Sequence, residues 1–112
     1  MLSRYHCLLI LFGVPLSAPT PVSDLLDAFI HLRTREEAEA FLVDLCTPAE
    51  LEAMEGRWEV AKLLETGLPY REIHVRTGVS TATITRVARS LALGTGGYRT
   101  MLARFAAGKV KP

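Results

Sequence analysis

The chain has 112 residues, of which 49% are apolar, and this suits one small domain with a single core rather than several domains. Its formal net charge is only +1, so the totals taken alone argue against a nucleic-acid partner. Two distant cysteines, Cys7 and Cys46, exclude a disulfide framework and a CxxC zinc site, and the three histidines are too scattered to form a metal-ligand cluster.

The charge is distributed unevenly between the two halves of the chain. Residues 1–56 hold three arginines against nine acidic residues, a net −6, whereas residues 57–112 hold ten lysines and arginines against three acidic residues, a net +7. Such an asymmetry indicates a polyanion-binding end. An acidic helix packed near a basic helix would explain the same numbers equally well.

Residues 1–21 form an apolar N-terminal extension, with Arg4, an apolar run at 7–12, and then small residues and prolines. The pattern resembles a short signal peptide and is too short to span a bilayer. Two other interpretations stay open: a wrongly assigned start, with translation beginning on a GTG codon at Val14 or Val22, or an ordinary apolar tail of the domain. DNA binding by the rest of the chain would argue against export.

Residues 22–107 have the pattern of a helical domain, without alternating strand runs or Asn-Gly hairpin signals. Ser23 is a candidate cap for a first helix. Thr34 begins a capping box with Glu37, in which the hydroxyl accepts from a free backbone N–H and the carboxylate reaches back. The apolar positions of these two helices are Leu25, Leu26, Phe29, Ile30 and Leu32 in the first, and Ala38, Phe41, Leu42 and Leu45 in the second.

The stretch "TPAE" at 47–50 is a second capping box, with Pro48 at the first helical position, where a missing N–H costs nothing. This third helix is predicted to run to about Thr66 and to stop at Gly67. Its apolar stripe is too wide for one contact, so we expect either a partner subunit or the other helices to cover it. The stripe comprises Leu51, Met54, Trp58, Val60, Ala61, Leu63 and Leu64.

A helix-turn-helix is predicted at about 69–93. A short helix covers about Pro69 to Arg76 with Ile73 inward, Thr77-Gly78 makes a tight turn, and Ser80 caps a second helix that ends before Gly94. In this second helix Ile84, Val87, Ala88 and Leu91 recur at i, i+3, i+4 and i+7 and form the buried face, with Val79 completing the small core. A last helix at about Tyr98 to Ala106 precedes a basic tail at 108–112.

The face of the second helix opposite its core residues is rich in short hydroxyl side chains and arginine, which suits close approach to a major groove. Hydroxyls bond to bases or phosphates, a Thr methyl packs on a thymine methyl, and arginines neutralise phosphates or reach guanine. His74 stands where many such motifs have an alanine at the helix crossing, so either the crossing is wider or His74 points outward to phosphates. The DNA-binding residues predicted in this way are Arg71, His74, Ser80, Thr81, Thr83, Thr85, Arg86 and Arg89.

The stretch "LCTPAELEAMEGRWEVAKLLETGLPYREIHVRTGVSTATITRVARSL", with "STATITR" and the following "GTGGY" as its most specific pieces, resembles the Trp repressor superfamily, most closely its YerC/YecD-like branch. The resemblance covers about Val22 to Leu102. It implies an all-α, intertwined homodimer whose two reading heads bind successive major grooves of a palindromic operator in double-stranded DNA. It also implies bacterial transcription regulation, usually repression, with Arg71, Thr81, Ala82, Thr83 and Thr85 facing the DNA.

The resemblance further implies a set of effector-pocket positions, at Thr47, Arg57, Arg86 and Ser90. In the tryptophan-sensing members two arginines sandwich the indole, and the matching residues here are Arg57 and Arg86. A glycine that follows the second arginine in those members is Val87 here. A β-branched side chain at this position fills space that the ligand needs, so no cofactor is expected and tryptophan is disfavoured.

These observations together predict a sequence-specific DNA-binding transcriptional regulator, a repressor in the cytoplasm associated with the nucleoid, with no membrane partner and no metal. The alternative is a helical dimerisation and protein-interaction module with only non-specific affinity for DNA. An exported helical protein is a third hypothesis if residues 1–21 are a signal. An enzyme is not expected, because the sequence offers no recognisable carboxylate pair, nucleophile-base set or metal cluster.

Overall fold

The computed structural model describes residues 23–108, which form six α-helices and contain no strand in that range. The all-α prediction is therefore confirmed. None of these helices has the length and apolar character needed to cross a membrane. The helices are α1 (Ser23–Ile30), α2 (Arg35–Leu45), α3 (Pro48–Glu65), α4 (Tyr70–Thr77), α5 (Thr81–Leu93) and α6 (Gly97–Ala107).

The described residues divide into two compact units, with the boundary between Phe41 and Leu42. In the first unit, the rings of Phe29 and Phe41 meet edge to face with centroids 5.5 Å apart. Thr34 caps α2 as predicted, because its hydroxyl accepts from the Glu37 N–H at 3.1 Å. The return bond differs from the prediction: the Glu37 carboxylate accepts from the Arg33 N–H, at 3.0 Å, one residue further from the helix.

The capping box at the start of α3 is complete in both directions. The Thr47 hydroxyl accepts from the Glu50 N–H at 3.2 Å, and the Glu50 carboxylate accepts from the Thr47 N–H at 2.8 Å. Hydrogen bonding to Thr47, chiefly to its backbone N–H and then to its side chain, holds the pKa of the Glu50 carboxyl below its usual value. The helix ends at Glu65, and Gly67 follows in a left-handed conformation, so the predicted stop is also confirmed.

The core of the second unit lies among α3, α4 and α5, which pack against one another. The predicted inward residues Ile73, Ile84, Val87 and Leu91 are all buried, while Ala88 is only half-buried and Val79 packs against the core from the turn. α3 contributes two neighbouring side chains from its wide apolar stripe. Within 23–108 the buried set is Val60, Ala61, Ile73, Ile84, Val87 and Leu91.

The last helix, α6, contacts α5 and the core. Tyr98 and Leu102 pack on the buried residues, and the rings of Phe105 and Trp58 meet edge to face at 5.5 Å. The Arg99 Nε–H donates to the Leu91 carbonyl at 2.7 Å, which ties α6 to the end of α5. The expectations for residues 1–21 and for most of the basic tail at 108–112 lie outside the described residues.

Candidate nucleic-acid interface

The turn between α4 and α5 is held by a short series of local hydrogen bonds. The Thr77 hydroxyl donates to the Ile73 carbonyl at 2.7 Å and accepts from the Val79 N–H at 3.1 Å. Gly78 caps α4 with φ +73° and ψ 0°, a left-handed conformation that glycine adopts without the cost of a Cβ, and its N–H donates to the His74 carbonyl. The role of Thr77 was not predicted, although a Thr just before the turn glycine was a signal for it.

His74 lies on the exposed surface of this turn. Its ring Nδ1 is 2.7 Å from the Val79 carbonyl oxygen, so the imidazole bridges the end of α4 and the residue before the α5 cap. Of the two alternatives stated for this residue, an outward side chain agrees with the structure, since the ring is exposed. Its proximity to phosphates remains a prediction.

Ser80 caps α5 as predicted, because its hydroxyl oxygen accepts from the Thr83 N–H at 3.2 Å. The same hydroxyl is 3.0 Å from the Thr83 Oγ1. The Thr85 hydroxyl donates to the Thr81 carbonyl at 2.9 Å, which leaves its methyl group and its acceptor lone pairs available to a partner. The hydroxyls of α5 therefore differ in the hydrogen bonds that they can still form with a partner.

The amino-terminal part of α5 presents an exposed face opposite its buried residues. Because the buried Ile84, Val87 and Leu91 lie on one side of the helix, most side chains between them point away from the core, although Ala88 is half-buried. Thr83 is the exception among the predicted contacts, since it is half-buried. The other predicted DNA-binding residues are all exposed: Arg71, His74, Ser80, Thr81, Ala82, Thr85, Arg86 and Arg89.

The arginines of this region differ in whether they are already paired. Arg76 lies 3.4 Å from Glu72 on the same helix, an exposed ion pair that lowers its value as a phosphate contact. Within residues 23–108, the side chains of Arg71, Arg86 and Arg89 make no hydrogen bond or ion pair. Three exposed guanidinium groups thus remain available to an anionic partner.

Two cavities in the second unit do not bring the four predicted effector-pocket residues together. Arg57 lines a cavity of about 770 Å³ beside Gly56, Val79 and Thr83, while Ser90 lines a different cavity of about 600 Å³. The second cavity is lined by Trp58, Ser90, Gly94, Thr95, Gly97, Tyr98 and Met101.

The two other pocket positions have different surroundings, and neither lines these two cavities. Thr47 is the cap of α3, and Arg86 is exposed on α5. Val87 is 2% exposed and belongs to the core, as its spacing predicted. Neither of these two cavities therefore brings the four residues together, and the effector pocket stays a prediction.

Comparison with known proteins identifies the family. The model of the family described as Trp repressor protein matches residues 21–106. YerC of Bacillus subtilis (strain 168), a protein described as uncharacterised, is 40% identical over 83 residues, which are 74% of this chain and 80% of YerC.

Two crystal structures share the fold. A Trp repressor candidate from Staphylococcus aureus superposes with a TM-score of 0.73 at 40% identity, covering 78% of this chain and 87% of that one. A TrpR-like protein from Eubacterium eligens ATCC 27750 gives a TM-score of 0.73 at 41% identity, covering 76% and 88%. The family and its fold are those of non-enzymatic DNA-binding regulators, which suggests a DNA-binding regulator here. The chain belongs to the Trp repressor family, in its YerC-like branch.

Proposed function

We propose that the chain is a homodimeric transcriptional repressor that reads a palindromic operator with α4 and α5, the second helix entering the major groove. One observation carries the proposal: α5 has its core residues on one side and an exposed face of short hydroxyl side chains and unpaired arginines on the other. Such a face does not stabilise an isolated protein, since threonine is a mediocre helix former and two unpaired cations gain nothing from each other.

The first experiment is selection of sheared genomic DNA from the source organism on the purified full chain, with excess competitor DNA. A regulator is expected to enrich a few promoter fragments that share a palindrome, because two heads related by a two-fold axis read inverted half-sites. Uniform recovery of all fragments, or recovery of none, would contradict a sequence-specific regulator.

A pair of variants assigns the contact to α5. Arg86→Ala is expected to weaken binding to a selected fragment at least about fivefold, since a good base contact is worth about 1–3 kcal/mol. Arg104→Ala is the matched control, because it removes the same charge from an exposed position on α6. Equal losses in both variants would indicate that only total charge matters. Thr83→Ala is a less direct probe, since this half-buried side chain also contacts the α5 cap.

Homodimerisation rests on the apolar surface that is exposed among residues 23–108. Neither α1 nor α2 contains a fully buried residue, and α3 buries only two. Exposed large apolar side chains on these helices are Leu26, Phe29, Ile30, Val43, Leu45 and Met54. Burying such a surface against a second copy is the usual way for a small helical protein to complete its core. A repressor of this kind works in the bacterial cytoplasm, at the nucleoid.

Tryptophan is not the effector in this proposal. Val87 occupies the core next to Arg86, and the pocket positions Arg57 and Ser90 belong to separate cavities. Titration calorimetry with L-tryptophan on the full chain is expected to give no heat of binding. A saturable signal, or tighter operator binding when tryptophan is added, would contradict this part of the proposal.

The alternative is an interaction module that binds DNA only through its charge, and salt dependence separates the two. Purely electrostatic binding falls linearly with salt on logarithmic axes and shows no preference among sequences. A regulator retains a preference for its operator at salt concentrations where random DNA is released. Loss of both affinities together on raising the salt would favour the interaction module.

A further inference from the structure

The hydrogen bond between His74 and Val79 fixes the state of both ring nitrogens. A carbonyl oxygen only accepts, so the Nδ1 of His74, 2.7 Å away, must carry a hydrogen. This carbonyl precedes the α5 cap and therefore lies outside the hydrogen-bond ladder of the helix. The remaining ring nitrogen, Nε2, makes no hydrogen bond within residues 23–108, and the ring is exposed.

We propose that His74 is a proton-dependent phosphate contact that also positions α4 and α5 relative to each other. The Nδ1–H holds the turn closed in both charge states of the ring. In the neutral ring Nε2 presents a lone pair, which a phosphate repels, and in the imidazolium it presents an N–H that donates to a phosphate oxygen. The proposal rests on the DNA-binding function proposed above and names one contact of that same site.

The charges around the turn come from three helices. On α4 itself, Arg71 lies one turn before His74, and Arg76 is paired with Glu72. From α3, Glu52, Glu55, Arg57 and Glu59 line the cavity that Gly78 and Val79 border, and α5 contributes Arg86 and Arg89. In the proposed complex, a DNA phosphate joins these charged groups, and in the free protein it is absent. Because a phosphate stabilises the imidazolium over the neutral ring, binding takes up a proton at this contact, and affinity rises as the pH falls.

The test compares wild type, His74→Asn and His74→Ala on a random-sequence duplex of about 30 base pairs, long enough for two successive major grooves. Wild type is expected to bind several-fold tighter at mildly acidic than at mildly alkaline pH, with a limit of about tenfold per pH unit for each proton taken up. His74→Asn keeps an N–H donor near the position of Nδ1 but cannot titrate. Its affinity should stay near the high-pH value of wild type across the range.

His74→Ala removes both roles, so it should bind about fivefold more weakly than His74→Asn at every pH, as expected for the loss of one hydrogen bond. His31→Asn is the matched control, because the exposed His31 also places its Nδ1 2.7 Å from a carbonyl, that of Asp27, in the other unit. It should retain the pH dependence of wild type. A pH dependence that persists in His74→Asn would overturn the phosphate contact.

The position of the proton is measured separately, from the imidazole nitrogen shifts of the DNA-free protein. The neutral His74 ring is expected to be the Nδ1–H tautomer, and the Nε2–H tautomer would overturn the positioning role. If wild type binds no duplex at any pH, the proposed function fails and the phosphate contact fails with it, while the tautomer still decides the positioning role. A pH-independent affinity of wild type for DNA would instead overturn the contact and leave the regulator standing.

Discussion

The turn between α4 and α5 depends most on the backbone conformation of Gly78. Its φ of +73° costs a residue with a Cβ about 1 kcal/mol or more, and no atom lies within 4 Å of where that Cβ would be. Gly78→Ala should therefore lower the free energy of unfolding by about 1 kcal/mol through conformation alone, without a steric clash. Chemical denaturation followed by circular dichroism measures this change.

The control for this prediction is Gly97→Ala. Gly97 begins α6 without a positive φ, and its added Cβ would meet only the Thr95 hydroxyl at 3.9 Å. The substitution should be neutral or slightly stabilising, because alanine has less conformational freedom to lose. Equal destabilisation of both variants would mean that the loss of stability in Gly78→Ala does not come from the left-handed conformation of Gly78.

At the scale of single residues, the sequence predicted the roles of side chains whose hydrogen-bond partners lie a few positions away in the chain. Ser80 caps α5 and Thr47 caps α3 because a cap needs only a hydroxyl and an amide three residues on. His74 could not be placed, since its partner is a carbonyl beyond the turn and the bond exists only once the turn is closed. Ser90 and Arg57 line separate cavities because helix packing, not chain spacing, decides which side chains share a cavity.

The capping box of α3 makes the stability of this helix depend on pH. Folding lowers the pKa of Glu50, chiefly through the Thr47 backbone N–H, so the folded chain holds this proton less tightly than the unfolded chain. The resulting stabilisation is present above the ordinary value of 4.5 and is lost as the pH falls below it through the lowered pKa. Glu50→Gln should remove this part of the acid sensitivity, as measured by unfolding midpoints in urea between neutral and acidic pH.

Glu52→Gln provides the comparison for that measurement, since it removes the same charge two residues later, from an exposed position on the same helix. It should keep the acid sensitivity that Glu50→Gln loses. Parallel stability curves for wild type and Glu50→Gln would contradict the role of the box, because the carboxylate would then be no better bonded in the folded chain than in the unfolded one.

Helix ends could be predicted to within one or two residues. Which apolar residues of a helix are buried could not be predicted. The predicted limits near Thr66 and Gly94 hold because a cap or a glycine acts within one turn. The stripe of α3 is different: Val60 and Ala61 are buried, yet Met54 is exposed on the same helix. An apolar residue does not specify which surface will cover it, since the hydrophobic effect is non-directional.

For the whole molecule, the distribution of buried residues is the main physical fact. The buried side chains of residues 23–108 come from α3, α4 and α5, and six such residues make a small core for a chain of this length. The proposed dimer accounts for this, because the amino-terminal helices would then bury their apolar faces against the partner. The acidic first half and the basic second half would also have separate tasks, assembly and DNA binding.

Two substitutions of equal chemistry test that division of tasks. Ile30 on α1 is 77% exposed and Val75 on α4 is 76% exposed, so an acidic residue at either position costs little in an isolated chain. If α1 lies in a dimer interface, Ile30→Glu buries an unpaired charge there and should shift the protein toward monomers, by about tenfold or more in the dissociation constant. Val75→Glu should leave the dimer intact. Sedimentation over a range of concentrations measures both, and an unaltered dimer in Ile30→Glu would place the interface away from this residue.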